Sequence, residues 1–102
     1  MLFRSIVDEA AAATESLLYI PLYLQPRRLL VVGDPLQLPA TVMSPRAVKL
    51  GYGKSLHERL MYDCQCTYTM LDVQYRMKPE ISAFPSKQFY QGKIMNGDNV
   101  LW

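Results

Sequence analysis

The sequence predicts an α/β fold in which a partial parallel sheet is flanked by helices. Three apolar runs carry that prediction. Residues 2–7 (Leu-Phe-Arg-Ser-Ile-Val) and 28–32 (Arg-Leu-Leu-Val-Val) read as strands, and residues 68–73 form a third apolar, β-branched run. Roughly twenty residues separate the first two, a length that suits a parallel crossover and not a hairpin. Each run also ends in polar groups: Asp8 and Glu9 after the first, Gly33 and Asp34 after the second, Gln74, Tyr75 and Arg76 after the third. Ligands of open α/β sheets bind beyond the carboxyl ends of parallel strands. Asp8, Glu9 and Asp34 therefore face one crevice if the first two strands are neighbours.

The crossover opens with residues 10–14, a strong helix-forming run, and carries Leu17, Leu18 and Tyr19 before Pro21 and Pro26 break the pattern. Pro35, Pro39 and Pro45 interrupt any regular element between them and predict an ordered loop. Ser55-Leu56-His57-Glu58 is a capping-box pattern at a helix start, with Leu56 and Leu60 on a shared face. After the third strand, Pro79 can open a short helix that turns Ile81 and Phe84 inward and stops at Pro85. There is no internal repeat and no low-complexity tract.

A chain of 102 residues, half of them apolar, suits one small domain with a modest core. Eleven basic against nine acidic residues leave a formal charge of +2, too small to argue for nucleic acid by electrostatics alone. Cys64 and Cys66 stand in a C-x-C spacing that fits neither a disulfide framework nor the paired C-x2-C of a zinc site, and read as reduced thiols of an intracellular protein. The longest apolar stretch, residues 17–24, is broken by Pro21 and too short to span a bilayer as a helix. The first residues also lack the pattern of a signal peptide. The expectation is a soluble protein of nucleus or cytoplasm with no membrane contact.

The polar groups at the strand ends fit phosphate chemistry. Magnesium keeps most of its water, so a nucleotide site needs one carboxylate near the ion and a second group to orient the attacking water. Asp8 suits the first role, through water, and Glu9 the second. Acids near the positive end of a helix start are the bland alternative for both. Gln37 lies in the proline-flanked loop, where its amide can donate to a phosphate oxygen and accept from water. Arg76 offers a planar fork of donors suited to a transferring phosphoryl group, an effect worth roughly 10³–10⁵ in rate. Its alternative is an ion pair with Glu80, four positions on. Gly53-Lys54-Ser55 only looks like the end of a phosphate-binding loop, because Val48 stands where that loop requires glycine, so Lys54 reads as a solvated lysine beside a helix cap. His57 has no second ligand at metal spacing and reads as surface or core filler. Phe84, Phe89 and Tyr90 could stack bases, but their helix-like spacing favours packing.

Taken together, Ile6-Val7-Asp8-Glu9-Ala10-Ala11, Leu30-Val31-Val32-Gly33-Asp34-Pro35-Leu36-Gln37-Leu38-Pro39, Ser55-Leu56-His57-Glu58-Arg59-Leu60, Leu71-Asp72-Val73-Gln74-Tyr75-Arg76-Met77 and Phe84-Pro85-Ser86-Lys87-Gln88-Phe89-Tyr90 name a family. The chain resembles superfamily 1 helicases of the senataxin and nonsense-mediated-decay branch over about residues 3–100. The resemblance implies a partial RecA-like P-loop NTPase sheet without the P-loop strand. Residues 1–73 would be the later part of the first RecA-like domain, and 74–102 the seam and start of the second. It implies ATP and Mg2+ as cofactors, with Glu9, Gln37 and Arg76 catalytic. Asp8, Asp34, Gln37, Tyr75 and Arg76 would bind the nucleotide, and Asp8 the metal. Single-stranded RNA or DNA would be the partner of the full-length parent, with missing helicase segments or another chain as further partners. Three positions depart from the family pattern: Ala12 replaces a glutamine, Ala40 a second proline and Lys78 a histidine. The Walker A loop and the motifs of the second domain are absent from these residues, so the chain alone is expected to be inactive. A non-catalytic interaction module or a decayed gene product is the alternative.

Overall fold

The computed structural model describes residues 4–102. They form two compact units, one running to Tyr68 and the other spanning Thr69–Trp102. In the first, strands β1 (Arg4–Val7) and β2 (Arg28–Val31) pair in parallel, with Arg4 opposite Arg28 and Val7 opposite Val31. The crossover inferred from spacing is therefore present. Residues 2 and 3 of the first apolar run lie outside the described residues. Alternate residues turn inward: Ser5, Val7, Leu29 and Val31 are half-buried, while Arg4, Ile6, Arg28 and Leu30 are exposed. Pairing continues beyond the strands, since Val32 N donates to Val7 O at 2.8 Å and Ala10 N to Val32 O at 2.9 Å. The segments that begin at Asp8 and Gly33 thus leave the sheet side by side.

The crossover helix begins later than composition suggests. Ala10–Ala12 makes one 3-10 turn, and α1 spans Glu15–Tyr23. Alanine favours helix, but here Ala10 is fully buried and its amide belongs to Val32, so the run is tied to the sheet and closes after one turn. Nor does Pro21 break α1. A helical proline frees the carbonyl four residues earlier, and Leu17, which carries it, is 55% exposed, so water can satisfy that oxygen. Leu18, only 2% exposed, joins Ala10 and Leu56 in a small core against which Val7, Ala13, Leu22, Val31 and Leu60 pack.

The proline loop is irregular as expected until Pro45, which starts a helix. α2 (Pro45–Lys49) has Pro45 in its first turn, where no amide is needed, and Ser44 Oγ accepts from Ala47 N at 3.3 Å. α3 (Leu56–Glu58) follows the Ser55 cap, whose Oγ accepts from Glu58 N at 3.0 Å, and runs into a π-helical turn at Arg59–Asp63. Leu56 and Leu60 both reach the core, as their spacing implies. Arg59 clamps Glu15 of α1 with Nη2 at 2.6 Å and Nε at 2.9 Å, and Ser16 Oγ lies 2.8 Å from Tyr52 OH. Lys54, expected to be solvated, instead pairs with Asp63 at 2.6 Å. That hydrogen bond raises its pKa. Cys64 and Cys66 are exposed free thiols.

In the second unit, the strand expected over 68–73 shortens to β3 (Val73–Gln74), paired in parallel with β4 (Met95–Asn96). A strand extends only as far as its partner does, and β4 offers two residues. Met95 N bonds Asp72 O at 2.7 Å and Gly97 N bonds Gln74 O at 2.8 Å, which closes the ladder at both ends. α4 (Pro79–Phe89) starts at Pro79 as expected but passes through Pro85. Its buried face also differs from expectation: Ile81 and Phe84 are 62% and 70% exposed, whereas Ser82 and Ser86 are buried. The two serines sit four positions apart on one helix face. Ser82 Oγ donates to Asn96 Oδ1 at 2.8 Å and Ser86 Oγ accepts from Ile94 N at 3.2 Å, so small hydroxyls let the helix backbone approach the β4 segment. Pro85 frees the carbonyl of Ile81, again on an exposed residue. Phe89 and Tyr90 pack edge to face at 6.5 Å and 69°, while Phe84 stays outside that contact. Among the described residues, no helix is long and apolar enough to cross a membrane.

Leu18→Ala empties the centre of the first unit's core and should lower its stability to urea by about 2–5 kcal/mol. The Arg59 guanidinium beside Glu15 holds that carboxyl below its ordinary pKa of 4.5. The stability it contributes is therefore complete above that value and lost as pH falls through the lower, folded one. Urea midpoints followed down to acid should show this loss, and Glu15→Gln should remove it.

Candidate functional site

The first unit supplies four of the residues singled out above, and its backbone explains how. Asp8 and Glu9 leave β1 exposed to solvent, with Asp8 Oδ1 accepting from Glu9 N at 2.8 Å. Glu9 adopts φ 50° and ψ 33°, a left-handed conformation that costs a side-chain-bearing residue about 1–2 kcal/mol. Such conformations concentrate where function over-determines the backbone. Gln25, Gln65 and Gln91 share it, each of them exposed, and none follows the carboxyl end of a strand directly.

Gly33 joins this segment to the next loop. A Cβ at residue 33 would lie 2.9 Å from Ala11 N, 3.1 Å from Ala10 N and 3.0 Å from His57 Nδ1. Only a bare α-carbon lets the chain after β2 run against the backbone after Glu9. Asp34 then folds its own loop: Oδ1 accepts from Leu36 N at 2.9 Å, Oδ2 accepts from Gln37 Nε2 at 3.1 Å, and Asp34 O accepts from Gln37 N at 3.1 Å. Asp8, Glu9, Asp34 and Gln37 are thus carried on two loops in van der Waals contact. Behind them stands His57, buried at 8% exposure, its Nδ1 without a hydrogen-bond partner among the described residues. It belongs to the core, one of the two places its sequence context allows, and the spacing of ligands gave no hint that it would back both loops.

The second unit supplies Tyr75 and Arg76 on the turn after β3. Gln74 organises that turn: Oε1 accepts from Arg76 N at 2.9 Å and Met77 N at 2.7 Å, and Nε2 donates to Met77 O at 2.5 Å and Asn96 Oδ1 at 2.6 Å. The Tyr75 ring lies over Gly97, in the space a side chain there would occupy, and Asn99 Nδ2 donates to Tyr75 O at 2.9 Å. Tyr75 also lines an open groove of about 460 Å³ with Asn96, Gly97 and Asn99. Arg76 is exposed, and the ion pair with Glu80 is not formed. Gln74 stood in the sequence only as a polar group at the strand end, with no role of its own, and Asn96 and Gly97 were not singled out, although the Asn96-Gly97 dipeptide is a recognised turn signal.

Among the described residues no group of three or more histidines, cysteines or acids could hold a metal by itself. A single exposed carboxylate at Asp8, with one oxygen engaged by Glu9 N, still suits Mg2+, which keeps several waters and takes other ligands from phosphates.

Two domain-family profiles, each described as an AAA domain, match residues 3–45 and 52–101. The probable helicase MAGATAMA 3 of Arabidopsis thaliana is 50% identical over 95 residues, which cover 93% of this chain and 12% of that protein. Helicase sen1 of Schizosaccharomyces pombe is 45% identical over 95 residues, 93% of this chain and 6% of its own length. A regulator of nonsense transcripts 1 homolog of Neurospora crassa is 43% identical over 98 residues, 95% of this chain and 9% of that protein. The chain is therefore a superfamily 1 helicase sequence related to the senataxin and nonsense-mediated-decay branch. It spans only 6–12% of the length of these relatives.

Gly33→Ala would drive a methyl group into backbone, which cannot swing aside as a flexible side chain can. It should lower the stability of the first unit by roughly 1–3 kcal/mol in urea, as overpacking does.

Proposed function

We propose that these residues are the part of an ATP-dependent RNA or DNA helicase that handles the terminal phosphate and the attacking water. The parent protein would hydrolyse ATP to move along single-stranded nucleic acid. The observation that supports this reading is the close approach of Gly33 to the backbone of Ala10 and Ala11, by which the segment that follows Asp8 and Glu9 and the one that leads into Asp34 and Gln37 leave the carboxyl edge of a parallel sheet together. Residues 1–73 would belong to the first RecA-like domain, and 74–102 to the seam and the start of the second.

Each side chain has a distinct task. Glu9 accepts a hydrogen bond from the attacking water and takes its proton. Gln37, held by Asp34, orients that water and reads the phosphate. Asp8 would be the residue that holds Mg2+, through water. The ion, when bound with nucleotide, neutralises phosphate charge. Tyr75 offers a flat face to the nucleotide in its groove, and Arg76 places five donors against the charge that spreads over the transferring phosphoryl group. No Gly-x-x-x-x-Gly-Lys-Ser/Thr occurs among the 102 residues, so the amides that cradle the phosphates are not supplied here and the chain alone should turn over little or no ATP.

The test exchanges the matching 95 residues of fission-yeast sen1 for those of this chain. ATPase stimulated by single-stranded nucleic acid, tested with both RNA and DNA, should survive the exchange. Glu9→Gln should lower kcat by roughly 10²–10⁴, and Arg76→Ala by roughly 10³–10⁵. Full activity in Glu9→Gln would remove the catalytic reading. The isolated chain should stay at background, and nucleic-acid-stimulated turnover by it would show that the phosphates are held in some other way.

A further inference from the structure

We propose that Gln74, Asn96 and Gly97 form a clamp that positions Arg76, an inference that rests on the phosphoryl-binding role of that arginine and extends it to residues with no assigned part. The turn 75–77 is held almost entirely by one side chain. Gln74 fills both lone pairs of Oε1 with the amides of Arg76 and Met77, and uses both hydrogens of Nε2 on Met77 O and Asn96 Oδ1. A primary amide has no further capacity, so Gln74 can adopt one pose only.

Asn96 fixes that pose from β4. Its Oδ1 accepts from Gln74 Nε2 at 2.6 Å and from Ser82 Oγ at 2.8 Å, and Ser82 is 3% exposed on α4. The clamp is thus anchored to a helix, a strand and the start of a turn at once. Gly97 contributes space. Its φ of −71° is open to any residue, yet a side chain there would fall within the Tyr75 ring. Asn99 holds the Tyr75 carbonyl. The outcome is a turn whose backbone and aromatic ring are fixed, while the Arg76 side chain is exposed and engages no partner among the described residues. An arginine that must meet a phosphoryl group in one geometry needs this combination, because misplacement by about 1 Å can cost on the order of 10² in rate.

The clamp uses Asn96 only as an acceptor, which separates a positioning role from simple packing. In the isolated chain, hydrogen exchange at the Arg76 and Met77 amides should be slow, should accelerate at least tenfold in Gln74→Ala and Asn96→Ala, and should stay slow in Asn96→Asp, which retains the acceptor oxygen. In sen1 carrying these residues, Asn96→Ala should lower kcat by roughly 10–100-fold with KM for ATP and for the stimulating nucleic acid little changed, and Asn96→Asp should restore it. Added to Arg76→Ala, the Asn96→Ala change should cause no further loss, since one acts through the other. Unchanged exchange at both amides in Gln74→Ala and Asn96→Ala, failure of Asn96→Asp to rescue, or full additivity with Arg76→Ala would each overturn the clamp. An Arg76→Ala variant with normal ATPase would instead remove the catalytic reading of the arginine. The exchange rates would still decide whether the clamp exists.

Discussion

The close approach at Gly33 is the constraint on which the first unit depends. Parallel pairing of β1 with β2 extends through Val32 and Ala10, so two loops must leave the sheet with almost no space between them. A glycine makes that possible, and the consequences spread outward. Ala10 is buried and gives its amide to the sheet, the alanine run closes after one 3-10 turn, Glu9 takes a left-handed backbone, and the acids of both strands share one edge. Tertiary pairing here overrides the helix preference of the residues that make the turn.

The second unit is organised differently. Its buried face on α4 is made of serines, and its short ladder is held by polar side chains that satisfy one another. Large apolar residues such as Ile81 and Phe84 lie outside. Buried polar networks hold one geometry when every member is satisfied and lose it when one is missing. A turn that presents an exposed arginine in one geometry gains more from such definition than from apolar packing, which tolerates repacking at similar volume.

Identity with the three relatives extends over nearly the whole chain but only a small share of theirs. The similarity states kinship. The structure adds which side chains hold the loops that the kinship makes interesting: Asp34 gathers Gln37, Gly33 joins the two loops, His57 backs them, and Gln74 shapes the turn of Arg76. All five lie within motifs visible in the sequence, but what His57 and Gln74 do there depends on distant partners, Gly33 for the histidine and Asn96 for the glutamine.

The sequence by itself determined the class of fold, the parallel relation of the first two strands, the Ser55 cap and the acids at the strand ends, because these depend on local pattern and on the length of the crossover. It misplaced the start of α1, stopped helices at Pro21 and Pro85, lengthened the third strand and turned Ile81 and Phe84 inward. Each of those depends on what lies nearby in space. A proline is tolerated when its freed carbonyl is on an exposed stretch, a strand ends where its partner does, and a helix buries whichever face its neighbour can approach. Only the tertiary structure could decide that a pair of serines would be that face, since their hydroxyls find partners in residues 94 and 96, eight and fourteen positions further along the chain.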